Sequence, residues 1–235
     1  MWIKEMPSEL HESNSIGVNF LYRQDKIYVM DNHLCASWCW LQHTDLSKKY
    51  NFVHIDYHYD LSGDPDRIES EVTKKNVQLH QLSFDEYRNL KFKVESLNIE
   101  AKLFRWDNFI LNINDAYPSL FATTTFVTKR GGSKEDFVQD EEELEHFISE
   151  FEHWLGNIQG GWIIDLDVDF FFSKTRGRYY QLYSDEVIRI LGLLLKKNMN
   201  KIDVLTIALS PECCGGWDNA FRVFAVLKEA LELDM

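Results

Sequence analysis

Short apolar runs alternate with amphipathic stretches along the chain, and polar clusters stand where the apolar runs stop. Gly17 to Tyr22 and Lys26 to Met30 predict two short strands around the polar turn Arg23-Gln24-Asp25. A helix is predicted over Leu34 to Lys48. Phe52 to Ile55 reads as a short buried strand running into Asp56-Tyr57-His58-Tyr59-Asp60. Leu61 to Arg67 holds Gly63 and Pro65 and predicts a loop. Ser83-Phe84-Asp85-Glu86 is a capping-box pattern and marks a helix start. Phe121 to Thr128, rich in Thr, Phe and Val, predicts a strand. Asp140 to Leu155 predicts a helix whose acidic first turn suits the helix dipole. Trp162-Ile163-Ile164 begins another buried strand, followed by Asp165-Leu166-Asp167-Val168-Asp169. Ser184 caps a helix over Asp185 to Lys197, basic in its last turn. Ile202 to Leu209 is a strand running into Ser210-Pro211-Glu212-Cys213-Cys214-Gly215-Gly216, and a closing helix covers Asp218 to Leu233.

Strands that are apolar throughout belong to parallel sheets buried on both faces. Their alternation with helices predicts an α/β fold: a doubly wound, mostly parallel sheet with helices on both faces. No repeat, linker or low-complexity segment divides the chain, so residues 1–235 are expected to form a single domain. An α/β domain of this length buries roughly 70% of its unfolded surface and needs no disulfide staples.

Composition narrows the function. Asp and Glu outnumber Lys and Arg 38 to 25, a net charge of −13. That balance argues against nucleic acid or an anionic membrane as partner, both of which select a basic face. It suits a cationic substrate. No run of about 18 apolar residues is present to span a membrane. Met1 to Leu10 is polar and lacks a signal-peptide core, so a cytoplasmic location is expected. Cys35, Cys39, Cys213 and Cys214 are then expected to be reduced. They read either as buried thiols or as a zinc site, although their spacing matches no strong zinc pattern.

Ligands of open α/β sheets bind beyond the carboxyl ends of the strands. Four predicted strands end in polar clusters: Asp31 and His33; Asp56, His58 and Asp60; Asp165, Asp167 and Asp169; and Glu212. In extended chain, residues i, i+2 and i+4 point to one side, so each cluster can converge. Three carboxylates on one side repel one another unless a cation neutralises them. Carboxylates with imidazole suit a hard or borderline ion such as Mn²⁺. Four carboxylates balance two divalent ions, and a close ion pair lowers the pKa of a shared water. Among the other histidines, His11, His146 and His153 read as solvated. His43, His54 and His80 each fit a core, supporting or catalytic place. Trp38, Trp40 and Phe170 to Phe172 read as core packing or as the lining of a peptide groove. Arg176, Arg178, Tyr179 and Tyr180 read as a loop near the rim.

With these residues in hand, the chain resembles the ureohydrolases, the arginases and agmatinases. His33 in Asp31-Asn32-His33 resembles that family's isolated histidine. Asp56-Tyr57-His58-Tyr59-Asp60 resembles its D-A-H-x-D motif, and Asp165-Leu166-Asp167-Val168-Asp169 its S-x-D-x-D motif. Glu212 stands where the family keeps a late glutamate. The likeness is greatest to small, atypical arginases that convert arginine to ornithine within ribosomally made peptides. The sequence departs from the family in lacking glycines before His33 and in carrying Phe170-Phe171-Phe172 where the third motif continues to Asp-Pro.

The resemblance implies an arginase-like three-layer sandwich holding two Mn²⁺ ions. His33, Asp56, His58, Asp60, Asp167 and Asp169 would be the ligands, with Asp165 behind them; the shifted pairing of Asp165 with Asp167 stays open. It implies that Glu212 binds the guanidinium and that Asp60 moves a proton to the leaving amine. His80 is the candidate for the family's proton-shuttling histidine. The implied partner is an arginine-containing precursor peptide and the product urea. Alternative functions are an agmatinase-like or formimino-type hydrolase, a single-zinc deacetylase-like amidohydrolase, and a non-catalytic binder of cationic peptides.

Overall fold

The apolar runs form the inner strands of one eight-stranded sheet in the computed structural model, which describes residues 1–235. The strands of this sheet are β1 (Trp2–Lys4), β2 (Leu21–Gln24), β3 (Ile27–Met30), β4 (Tyr50–His58), β7 (Phe121–Gly131), β8 (Asp140–Glu142), β9 (Gly161–Asp167) and β12 (Val204–Ala208). Two hairpins stand outside it, β5 (Lys91–Val94) with β6 (Ile99–Lys102), and β10 (Phe172–Thr175) with β11 (Arg178–Gln181). The sheet order is β1-β2-β3-β12-β9-β4-β7-β8. From β3 to β8 every pairing is parallel; β1 and β2 add an antiparallel edge. The carboxyl ends of β3, β12, β9, β4 and β7 therefore share one rim.

Eight α-helices surround the sheet: α1 (Ala36–Leu41), α2 (Pro65–Ile68), α3 (Phe84–Arg88), α4 (Phe109–Ala116), α5 (Leu144–Asn157), α6 (Asp185–Lys197), α7 (Pro211–Cys214) and α8 (Trp217–Leu231). Two apolar clusters divide them by face. Val29, Ile55, Ile164 and Ile207 pack with α5, α6 and α8 on one face; Tyr28, Phe52, Ile163 and Val204 pack with α1 and α4 on the other. Alternate residues of each inner strand thus supply both cores, which is why these strands are apolar at nearly every position. The result is the expected doubly wound, three-layer α/β arrangement. No helix is long and apolar enough to cross a membrane.

Several element expectations need correction. The helix expected over Leu34 to Lys48 is one 3₁₀ turn, His33–Cys35, followed by α1, which stops at Leu41. Asp45 ends that segment in a turn: its carboxylate accepts from the Ser47 N–H at 3.0 Å, and its own N–H donates to Tyr50 Oη at 2.7 Å. The helix expected from Asp140 begins at Leu144, because residues 140–142 pair with β7 as an edge strand. The first hairpin turns at Asp25-Lys26, not at Arg23-Gln24-Asp25, and its first strand starts at Leu21. The rim loop expected at Arg176 to Tyr180 is the β10–β11 hairpin, with positive φ at Arg176 and Gly177 as a tight hairpin turn requires. Trp38, Trp40 and Phe170 to Phe172 are buried in the cores. β4 and β9 run further than expected, so Asp56, His58, Asp165 and Asp167 lie on the strands themselves.

Candidate metal centre

Strand register builds the site in rows. His54, Asp165, Thr206 and Tyr28 align across β4, β9, β12 and β3. Two residues on, Asp167, Ala208 and Met30 form the next row, and Asp56 is the matching position on β4. Side chains two apart share a face, so both rows project to the α1/α4 side. His58 at the end of β4, and Asp60, Asp169 and Ser210 beyond the strand ends, carry the cluster to the rim. His33 enters from the 3₁₀ turn after β3, whose N-cap Asn32 accepts from the Leu34 N–H at 2.8 Å. Gly131, opposite His58, has no room for a side chain: a Cβ there would stand 2.8 Å from the His58 ring.

The carboxylates are held in one pattern. Asp56 Oδ1 accepts from the His58 N–H at 2.6 Å, Asp167 Oδ1 from the Asp169 N–H at 2.8 Å, and Asp169 Oδ1 from the Tyr57 N–H at 3.2 Å. Each backbone bond fixes one oxygen and leaves Oδ2 turned to the shared centre. His33 Nδ1 lies 3.3 Å from Asp56 Oδ2, 3.2 Å from Asp60 Oδ2 and 3.5 Å from Asp167 Oδ2. Behind them, Asp165 Oδ2 meets His54 Nδ1 at 2.9 Å and stands 3.6 Å from His33 Nε2. Asp165 Oδ1 accepts from Thr206 Oγ1 at 2.6 Å, and Trp40 Nε1 donates to that threonine at 3.0 Å. Ser210, held in the left-handed region at φ 39°, donates to Asp167 Oδ2 at 2.5 Å.

Asp56, Asp165, Asp167 and Asp169 are each no more than 3% exposed. Burial, joined by repulsion from Asp169, Asp60 and Asp167, pushes the Asp56 carboxyl well above the usual range. Burial and the Asp169 charge push Asp167 up to about 8. Burial works against charged His58, yet Asp169 and Asp56 raise it to about 12. Burial likewise opposes charge on His33, but Asp165 and Asp167 raise it well above its ordinary value. Asp165 is held below the usual carboxylate range: burial opposes this, and His33 and His54 overcome it.

Four buried polar atoms in this cluster make no aligned hydrogen bond: His33 Nε2, His54 Nε2, Asp56 Oδ2, and Asp169 Oδ2, which lies 3.0 Å from His58 Nδ1. Each buried unsatisfied group costs roughly 1–3 kcal/mol, and more when charged. Oxygen and nitrogen lone pairs converging in a buried acidic centre are what divalent cations bind. His33, Asp56 and Asp167 have ligand atoms within 4.8 Å of one another; so do His54, Asp56 and Asp60, and so do His58, Asp169 and Cys213. The donor set therefore fits a metal centre.

A cavity of about 220 Å³ opens onto the cluster, lined by His33, His58, Asp60, Asp167, Asp169, Ser210, Glu212 and Cys213, and also by Trp106, Asp107 and Gly131 to Ser133. Glu212 Oε1 accepts from the Ser13 N–H at 2.5 Å. Ser13 in turn bonds Asp31, whose carboxylate also accepts from the Asn19 and Phe20 N–H groups. Asp31 thus braces the segment that orients Glu212. Burial raises the Glu212 carboxyl above its ordinary value.

One named residue is not brought in. His80 sits on the 3₁₀ turn Leu79–Gln81, 3.4 Å from Tyr117 Oη and outside the cavity lining. Buried Leu79 and the bond from Trp38 Nε1 to Leu82 O pin that turn against α1. Its assignment as proton shuttle has no support in this geometry. The four thiols are free and do not gather into one zinc site; only Cys213 joins a group of potential ligands. The sequence alone leaves the place of His54 open, although its position two residues before Asp56 puts it on the ligand face. Nothing in the sequence marked Ser13 or Ser210.

No protein-family model matches the chain, and no curated protein sequence matches it. Two solved structures are similar in fold. One is the arginase from Bacillus cereus, 13% identical, with 89% of this chain and 71% of that chain covered at a TM-score of 0.49. The other is the Helicobacter pylori arginase, 12% identical, with 87% of this chain and 72% of that chain covered at a TM-score of 0.45. Likeness at this level concerns the chain trace and assigns no residue a role.

Proposed function

We propose that the protein is a metal-dependent hydrolase of guanidino groups, acting on arginine side chains within a peptide to give ornithine and urea. The observation that carries this reading is the buried His/Asp cluster, with its four atoms that make no aligned hydrogen bond, opening into a cavity that Glu212 also lines. His33, Asp56, Asp60 and Asp167 would hold one divalent ion. His58, Asp169 and the shared Asp56 and Asp167 would hold a second, with manganese the expected metal. When bound, such a pair supplies a nucleophilic water at neutral pH.

The chain's own residues do the rest. The guanidinium is charged at any working pH and needs a carboxylate partner in a confined site. Glu212 is that partner, through charge-assisted hydrogen bonds that aim the guanidinium carbon at the cluster. Water adds to this carbon, and the bond from carbon to the side-chain nitrogen breaks. Asp60, at the cavity wall, passes a proton to the leaving nitrogen. Ser210 and the backbone N–H bonds hold the carboxylates still meanwhile.

The cavity lining contains no lysine or arginine. Nothing there pairs with the α-carboxylate of free arginine, a group that an internal residue of a peptide lacks. Asp107, another acid of the lining, is already paired to Arg105 at 2.9 Å, which disfavours a second ammonium there. The test is urea release from a terminally blocked arginine peptide, free arginine and agmatine, beside deacetylation of an acyl-lysine peptide. The blocked arginine peptide is expected to be far the best substrate. Better turnover of agmatine or free arginine would overturn the peptide assignment, and deacetylation without urea would overturn the guanidino assignment.

A further inference from the structure

Cys213 stands at the cavity wall, and its thiol takes no part in the hydrolysis. Its sulfur, a His58 ring nitrogen and an Asp169 carboxylate oxygen lie within 4.8 Å of one another. A cysteine beside an acid is not in itself a site. Here a second observation points the same way: Asp169 Oδ2 is buried and makes no aligned hydrogen bond, its near neighbour at 3.0 Å being His58 Nδ1, an atom that can itself ligate.

Local structure fixes the sulfur. Cys213 lies on the short helix α7, and its N–H donates to Ser210 O at 2.9 Å. Gly215 closes that helix at φ 85°, with Tyr179 so near that a Cβ would meet its ring at 2.7 Å. The neighbouring Cys214 faces away, its thiol on Leu209 O and its side chain in the opposite core. The same trio, His58, Asp169 and Cys213, lines both the main cavity and a second one of about 200 Å³ bounded by Phe172, Lys174 and Tyr179. An ion held there would sit in the wall between the two.

We propose that the Cys213 thiolate is a cation ligand beside His58 and Asp169, which makes the outer half of the centre softer than the inner half. This rests on the two-cation reading given above and sharpens it. The inner ligands, His33, Asp56, Asp60 and Asp167, are oxygen-rich and suit Mn²⁺. A set of sulfur, nitrogen and oxygen favours Zn²⁺, Co²⁺ or Fe²⁺ instead. Coordination removes the thiol proton outright, so no separate base is required. The two halves then differ in metal preference within one centre.

The test strips the full-length protein with chelator and reloads it with Co²⁺ alone under reducing, oxygen-free conditions. A near-ultraviolet thiolate-to-cobalt charge-transfer band is expected, in addition to the visible cobalt bands. Cys213→Ser should keep its fold and the visible bands, lose the near-ultraviolet band, and bind the outer ion roughly 10-fold or more weakly. A measurement free of any variant is alkylation of the wild-type protein, followed by mass spectrometry: loading with Co²⁺ should slow modification of Cys213 severalfold. Visible bands without the charge-transfer band, or a band that survives in Cys213→Ser, would overturn the thiolate and leave the two-cation reading standing. Failure to bind cobalt at all would overturn both.

Discussion

Asp165 shows how single residues set this centre. One of its oxygens meets His54 at 2.9 Å and faces His33 at 3.6 Å, while the other is held by Thr206. A carboxylate behind an imidazole fixes the ring and raises its basicity. Asp165→Asn is therefore expected to weaken metal binding roughly 10- to 100-fold while the fold survives, as read by competition with a chromophoric chelator. Asp167→Ala should lose metal and activity together. Glu212→Gln should keep its full metal complement yet lose turnover on the order of 100-fold or more, because a neutral amide does not neutralise the guanidinium. Metal analysis beside urea release separates these cases. The site was legible in the sequence to the extent that it follows strand periodicity. His33, Asp56, His58, Asp60, Asp167, Asp169 and Glu212 were nameable from clusters at strand ends, and one further step of two residues reaches His54. Ser13 and Ser210 were not marked, since long-range approach and a left-handed backbone leave no local pattern, and Cys213 was named only among four thiols whose spacing matches no strong zinc pattern.

Elements were legible where local signals and burial agree. α6 follows its Ser184 cap and basic last turn, and it was expected within its observed bounds. α1 and β8 show the opposite case. Residues 42–48 and 140–143 have acceptable helical composition, but a turn built by Asp45 and pairing with β7 take those segments elsewhere. The hairpins β5–β6 and β10–β11 were missed because their outward faces are polar and their turns are short. The packing of α6 on α8 depends on a feature propensity alone would misjudge. Gly192 lies inside α6, where alanine is ordinarily better by about 1 kcal/mol. Its missing Cβ, however, would stand 2.6 Å from Ala230 Cβ on α8. Gly192→Ala is thus expected to destabilise by about 1–3 kcal/mol in denaturant unfolding, and adding Ala230→Gly should restore much of the loss.

At the scale of the whole molecule, the buried charges link stability to pH and to metal. With no cation bound, burial and neighbouring carboxylates push Asp56 and Asp167 upward, the latter to about 8. Despite burial, His33 and His58 are raised by the carboxylates around them, His58 to about 12. From pH 6.5 to 8 the unfolded chain releases the protons of His33 and His58 while the folded chain keeps them. The folded state then binds more protons, so stability falls as pH rises through that window. His43, lowered to about 4 by burial, acts only below it. Cations displace those protons, so their binding tightens as pH rises. Thermal unfolding of chelated protein should show a falling Tm from pH 6.5 to 8, and the gap to metal-loaded protein should widen. A gap that narrows would contradict the placement of the metal among these groups.

The most direct measurement is urea release from a blocked arginine peptide by the same protein preparation, once loaded with Mn²⁺ and once chelated, with bound metal counted in both. Urea is expected from the loaded protein alone, and none after chelation until metal is restored. Equal urea with and without metal, or no urea from protein that holds about two ions, would contradict a metal-dependent hydrolase of guanidino groups.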